Sequence, residues 1–376
     1  MGNGRFSLLS RAAYNPKTMS EEKEDLQSIL KDFDPLRTEP QGFKPEQMLK
    51  CEKCERPNPP TRTSCLYCGA DLPIIETMFA ALQKPKLRKL ESWEQGFNIV
   101  LLSLGKKELT KREISEAANF LDLSTDDFKR ITETNVPLPI VHASGYNEAS
   151  LIESGLKHFG FETIVVSDRD MFAENMPGRL RGMTFTDSYL KGRDLVSENA
   201  MNLSWEEVSL LVVGRVFERR IETEEKISRK EVKELTDSRE YSTDQLQLDI
   251  YSENYPLGWR VISDKFDFSC LGQGRSLIVA QNFELLIQIL RARSTNAVFD
   301  DSYNQVQSLL NIVWPIEQRS KSLGLKRKNF GQMLSQHASI SNNETQFLRY
   351  SRLKWTLESR RLAKEKGTVE KNDFIL

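Results

Sequence analysis

The sequence predicts an α+β, multidomain protein, and three observations carry that prediction. Four of the five cysteines fall between residues 51 and 68. Downstream, apolar residues recur at helical spacing in some blocks and alternate at strand spacing in others, without the regular strand–helix alternation of a parallel sheet. Charge is spread unevenly: the net charge is -1, yet residues 316–366 hold 12 Lys and Arg against 4 Asp and Glu. With 376 residues, 39% of them hydrophobic and 19 of them Phe, the chain can build about two or three domains and is too apolar for wholesale disorder. A charge near zero excludes a chain that binds polyanions over its whole surface. No run approaches the roughly 20 apolar residues of a membrane helix.

Residues 1–46 are polar and interrupted by Pro16, Pro35, Pro40 and Pro45, and are expected to form a disordered or extended N-terminal arm. Residues 47–73 hold the cysteines. Residues 74–92 predict a helical linker broken at Pro85. Residues 93–168 form one block of order βααβαβ. FNIVLL is a strand. TKREISEAANFLDL is a helix with Ile114, Ala117, Ala118 and Leu121 on one face, and Thr110 with Glu113 makes a capping box. STDDFKRITE is a second helix capped by Ser124, PLPIVHAS a strand, NEASLIESGLKHFG a helix stopped at Gly160, and FETIVV the last strand.

Residues 169–315 predict several antiparallel strands followed by helices. MTFTDSYLKG, WEEVSLLVVGRVFERRIE, QLQLDIY and WRVISDKFDFSCLG alternate as strands, while 222–244 is so dense in charge that it is expected to be a solvated excursion. Val279, Phe283, Leu286, Ile287 and Leu290 mark one helix; Val306, Leu309, Leu310 and Val313 mark a second that ends before Pro315. Residues 316–376 read as a basic helical tail.

The chemistry resides in Cys51-Glu-Lys-Cys54 and Cys65-Leu-Tyr-Cys68-Gly69. Two residues between each pair let a tight knuckle aim both sulfurs at one ion. Zinc prefers four tetrahedral ligands, and thiolates suit it. Four sulfurs leave no open coordination position, so the expected Zn2+ is structural, held by Cys51, Cys54, Cys65 and Cys68. The module resembles small zinc ribbons, and RanBP2-type fingers in spacing, since Asn58 lies four residues after Cys54 and seven before Cys65; Leu49 stands where that family has Trp. Clustered CxxC pairs also suggest a reducing, cytoplasmic compartment.

Two further resemblances follow from the strings above. Residues 93–168 resemble the C-terminal domain of the bacterial ribosomal stalk protein, through FNIVLL, LDLSTDDFKRI, VPLPIV and NEASLIESGLKHFGFETIVV, which implies a split βαβ α/β domain. That family docks translation GTPases through a Lys/Gly-rich surface on its first two helices; the glycines are absent from KREISEAANFLDLSTDDFKR, so the role is not carried over. Residues 169–315 resemble a pleckstrin-homology-like module, an antiparallel β domain with C-terminal helices, with Trp205 to Val208 supplying the W-E-E-V string.

The remaining features have plainer readings. His142, His158 and His337 have no His or Cys at ligand spacing, and Cys270 is expected as a small buried hydrophobe. Gly272-Gln-Gly274-Arg-Ser276 lacks the phosphate-loop pattern and reads as a turn. Asp126/Asp127 and Asp300/Asp301 sit at expected helix starts. The sequence thus predicts a non-catalytic, zinc-containing adaptor or scaffold subunit in a larger cytoplasmic assembly, with protein partners and no small-molecule substrate. The alternative is a nucleic-acid-binding factor in transcription or translation that uses the ribbon and 316–366. The candidate partner-binding residues are Lys326, Arg327, Lys328, Arg349, Arg352, Lys354, Trp355, Arg360 and Arg361, in a composition that also suits an anionic membrane surface or the protein's own acidic body.

Overall fold

The computed structural model describes residues 48–59, 65–70, 90, 94–102, 109–194, 201–227, 233–329 and 332–367. The expected arm 1–46 and, apart from Leu90, the expected linker 74–92 lie outside them. The chain divides into two compact units, Met1–Met78 and Phe79–Leu376.

In the first unit, β1 (Leu49–Lys50) and β2 (Pro57–Asn58) pair antiparallel, with Leu49 opposite Asn58. Leu49, Cys51 and Cys65 form its small apolar cluster.

The second unit begins with β3 (Phe97–Leu101), α1 (Lys111–Phe120), α2 (Thr125–Glu133), β4 (Leu138–Ala143), α3 (Tyr146–His158) and β5 (Thr163–Ser167). The order is the expected βααβαβ, and the strands make an antiparallel sheet of order β4-β3-β5. Thr110 closes the expected capping box with Glu113, and Ser124 caps α2 through the Asp127 N–H. Ile99, Val100, Ala117, Phe128, Ile140, Ile152 and Leu156 fill the core between sheet and helices.

A nine-stranded sheet follows. Its strands are β6 (Gly178–Phe185), β7 (Tyr189–Asp194), β8 (Met201–Ser204), β9 (Leu210–Ile227), β10 (Lys233–Ser252), β11 (Tyr255–Ile262), β12 (Val298–Asp300), β13 (Glu317–Asn329) and β14 (Gln332–Asn342). They run in the order β13-β14-β9-β10-β11-β6-β7-β8, with β12 beside β9. Most pairs are antiparallel, but β11 with β6 and β12 with β9 are parallel. Helix α4 (Val279–Arg293) covers one face; α5 (Tyr303–Leu310) and α6 (Glu344–Glu365) pack into the core on the other. Leu211 and Val213 point to the first face, Leu210, Val212 and Val216 to the second. This two-sided burial explains the unbroken apolar run at 210–213. At Gly214 a Cβ would lie 2.3 Å from the Phe347 ring of α6, so only glycine lets that helix approach so closely.

Three expectations are corrected here. The charged stretch 222–244 is not an excursion over its described residues: 222–227 of β9 and 233–244 of β10 pair as a ladder, and β14 pairs along β9 from Glu218 to Lys226. Charges such as Arg239, Glu240 and Asp244 stay exposed while the backbone pairs, helped by bridges such as Arg219–Glu240 at 2.8 Å. Trp205 to Val208 does not open a strand: Trp205–Glu207 is a 3-10 turn capped by Ser204 and Glu207. Over its described residues, up to 367, the expected tail 316–376 is not separate, because β13 and β14 extend the sheet and α6 enters the core. That same core joins the three-stranded sheet to one face of the large sheet without a break at residue 168.

Buried polar groups stitch these layers together. Asp249 is wholly buried and takes two hydrogen bonds from Arg260 (Nε and Nη2, both 2.7 Å) and one from Ser351 Oγ at 2.7 Å. Trp355 stacks on Tyr251 at 5.4 Å. Asp168 accepts from the Gly96 N–H at 2.9 Å and from Asn98 Nδ2 at 2.8 Å and pairs with His142 Nε2 at 2.7 Å, while Trp314 Nε1 donates to Asn98 at 3.0 Å.

Candidate metal centre

Two backbone knuckles build the cysteine cluster, and they repeat each other. In the first, the Glu55 N–H donates to the Cys51 carbonyl at 2.8 Å and the Cys51 N–H to the Arg56 carbonyl at 3.1 Å. In the second, the Gly69 N–H donates to the Cys65 carbonyl at 3.0 Å and the Cys65 N–H to the Ala70 carbonyl at 2.7 Å. Each knuckle closes on a residue with positive φ: 57° at Glu55 and 68° at Gly69. Glycine adopts that conformation freely; glutamate does so at a cost of about 1 kcal/mol. The shared four-residue offset from Cys51 to Glu55 and from Cys65 to Gly69 is the sequence signal for the left-handed position at Glu55.

The knuckles bring four sulfurs together. Cys51 Sγ lies 3.6 Å from Cys68 Sγ, and Cys54 Sγ 3.4 Å from Cys65 Sγ. All four lie within 4.8 Å of one another, the one such group of His, Cys, Asp or Glu among the described residues. Four sulfurs each about 2.3 Å from a tetrahedral zinc would sit about 3.8 Å apart, so the cluster could hold a metal ion and is compatible with zinc. No pair is at disulfide distance, which is about 2.05 Å.

Asn58 ties the module together. It is wholly buried, and its amide donates to the Arg56 carbonyl at 2.9 Å and to Cys65 Sγ at 3.4 Å. Its oxygen accepts from the Leu66 N–H at 2.8 Å. Strand β2 thereby holds the second knuckle. The Tyr67 N–H also points at Cys65 Sγ, at 3.4 Å. Burial pushes the Cys65 thiol up, but the N–H groups of Tyr67 and Cys68, with Cys54 and Asn58, bring it down to about 6. At Cys54 a backbone hydrogen bond from Arg56 works downward, yet burial and the three neighbouring cysteines carry that thiol up to about 12. Cys65 is therefore biased toward the thiolate that a metal requires, and Cys54 away from it.

The other candidate residues do not converge on one surface. Arg352 is wholly buried, with Nη1 donating to the Pro256 carbonyl and Nη2 to the Asn175 carbonyl, both at 2.7 Å. Lys354 is buried on Asp300 at 2.9 Å, and burial pulls its ammonium pKa down against that carboxylate. Trp355 is spent on its stack with Tyr251. Arg349 is half-buried and acts on Asp168. Arg360 donates to the Val165 carbonyl at 3.4 Å and lies 3.7 Å from Asp170. Arg361 bridges Glu358 at 2.6 Å and Glu365 at 2.5 Å. Lys326, Arg327 and Lys328 sit on β13; the side chains of Lys326 and Lys328 lie outside the described ones. The sequence missed this outcome because the partners, Asn175, Pro256 and Asp300, are all remote along the chain.

Cys270 lies in a 3-10 segment, not a strand, and burial raises its thiol to about 11. His337 bonds Ser335 at 2.8 Å, and His158 stands edge-on to Phe159. Among the described residues no helix is long and apolar enough to cross a membrane. Comparison with protein families, curated proteins and solved structures finds no match to the chain.

Proposed function

We propose that the chain is a non-catalytic adaptor whose cysteine module is a zinc ribbon, folded by a structural Zn2+ and working in a cytoplasmic protein assembly. The four-sulfur cluster with Asn58 behind it carries this reading. A fully thiolate-ligated zinc has no site for water or substrate, so it serves shape: it fixes a module too small to hold a core of its own. The second unit supports the same reading. Its βααβαβ block, with sheet order β4-β3-β5, suits the stalk-like module, and strands followed by α4 suit a pleckstrin-homology-like module. Beyond the helices, β13, β14, β9 and β10 extend as a ladder with exposed residues such as Arg319, Lys321, Arg239 and Tyr241, a surface of the kind that binds other proteins.

A nucleic-acid role through 316–366 is the weaker proposal, because Arg352, Lys354 and Trp355 are buried and Arg349, Arg360 and Arg361 of α6 face acidic or carbonyl partners of the same chain. Affinity purification of the full chain, beside a Cys51→Ser/Cys54→Ser variant, tests the adaptor reading. Recovery of a defined protein set that the variant loses supports it. A monodisperse chain with no stable partner, or steeply salt-dependent binding to RNA or DNA, overturns it.

A further inference from the structure

Helix α4 starts on an apolar knob. Leu277 is 104% exposed, Ile278 54% and Val279 44%, whereas Phe283, Leu286 and Leu290 of the same helix are buried. The stretch 268–283 contains one charged residue, Arg275, in a chain that is 28% charged, and no carboxylate. The loop is also held rigidly. Asn282, itself buried, accepts from the Ser276 N–H at 2.6 Å and donates to the Ser276 carbonyl at 2.8 Å. Ser276 Oγ takes the Ile278 N–H at 3.1 Å. The helix has no side-chain cap, its N-cap position being Ile278, and the N–H groups of Val279, Ala280 and Gln281 find no acceptor on the protein.

Three features thus meet at one point: projecting hydrocarbon, the exposed cation Arg275, whose nearest acids along the chain are Asp267 and Glu284, and open N–H groups at a positive helix end. Isolated exposed aliphatics are ordinary; three in sequence on a pinned loop are not. Leu277, fully exposed, projects from the surface. A protein partner would need a deep cavity to take Leu277, whereas a fluid acyl layer needs none. The positive helix end and Arg275 suit phosphate groups at the level just above that layer.

We propose that this tip docks on an anionic lipid surface, with Leu277, Ile278 and Val279 in the acyl region and Arg275 and the open N–H groups against lipid phosphates. This surface shares no residue with the metal centre or with the adaptor contacts proposed above. The test is co-sedimentation of the zinc-loaded full chain with phosphatidylcholine vesicles, with and without phosphatidylglycerol. The expected result is sedimentation with the anionic vesicles and little with the neutral ones. Leu277→Glu/Ile278→Glu should lower partitioning at least about a hundredfold, the size expected from losing the burial of two aliphatic side chains. Arg275→Glu should weaken it and flatten its salt dependence. Thermal unfolding checks that each variant folds, and Leu277→Ser replaces the double variant if that one melts early. A wild-type chain that stays in the supernatant with anionic vesicles overturns the proposal, as does a folded double variant that sediments like wild type. Self-association abolished by the same substitutions, without vesicle binding, would make the knob a contact between copies and overturn it too.

Discussion

Replacing Asn58 by Ala isolates the contribution of the side chain that links the two knuckles. The change removes three contacts: the donation to Arg56, the donation to Cys65 Sγ and the acceptance from the Leu66 N–H. A buried group left without its partner costs about 1–3 kcal/mol. The lower end applies, because Leu66 is about half exposed (49%) and water can reach its N–H. Loss of an outer hydrogen bond to a metal ligand weakens metal affinity roughly 10–100-fold. Both routes converge on about tenfold. Competition of the zinc-loaded protein against a chromophoric chelator measures it directly. Asn58→Asp keeps the acceptor for Leu66 but loses both donations and places a carboxylate beside Cys65, so it should weaken binding at least as much as Ala. Affinities within twofold of wild type for both variants would show that Asn58 does not organise the site.

Three other perturbations test the surrounding structure. Asp249→Ala leaves the Arg260 guanidinium buried without its carboxylate and should cost about 3–5 kcal/mol, read by denaturant unfolding with the buried Trp355 as reporter. Gly69→Ala should weaken zinc binding by about 1 kcal/mol through its positive φ alone, since nothing lies within 4 Å of the added Cβ, while Glu55→Gly should cost far less or improve it; chelator competition on both variants compares the two knuckles. At Asp168, burial works to raise the pKa, but the hydrogen bond with His142, the charges of Arg349 and His142, and the Asn98 amide hold it below the ordinary carboxylate range. A depressed carboxylate adds stability that is present above its unfolded pKa of about 3.9 and lost as pH falls through the folded value. Asp168→Asn should therefore flatten the acid limb of the pH–stability curve below about pH 4, measured by thermal unfolding.

What the sequence made legible was local. Helices α1 and α2 were readable because their caps and apolar faces lie within one or two turns, and the metal centre because its four ligands come in two CxxC pairs close along the chain. The errors were of longer range. The run of Glu, Lys and Arg at 222–244 looks like a loop, yet a solvated ladder needs only backbone pairing, and its partner β14 comes about a hundred residues later. Helix α6 looked like a basic surface helix because Arg352 and Lys354 are neutralised by carbonyls and a carboxylate that no local pattern reveals. Its buried positions, 346–348, 350–356 and 358, run nearly all round the helix rather than along one stripe, and about half of them are polar, so a hydrophobicity pattern passes over them. Asn58 was visible by spacing; its hydrogen bond to Cys65 was not.

The four-sulfur site itself is tested most directly by metal content and cobalt substitution of the full chain. The expected result is one zinc per chain, from the one cysteine cluster among the described residues, and a cobalt-loaded form with the intense thiolate charge-transfer and tetrahedral bands of four sulfur ligands. Both should be lost in Cys65→Ser. A chain that takes up no metal with its thiols reduced, or a cobalt spectrum of octahedral oxygen ligation, would contradict it.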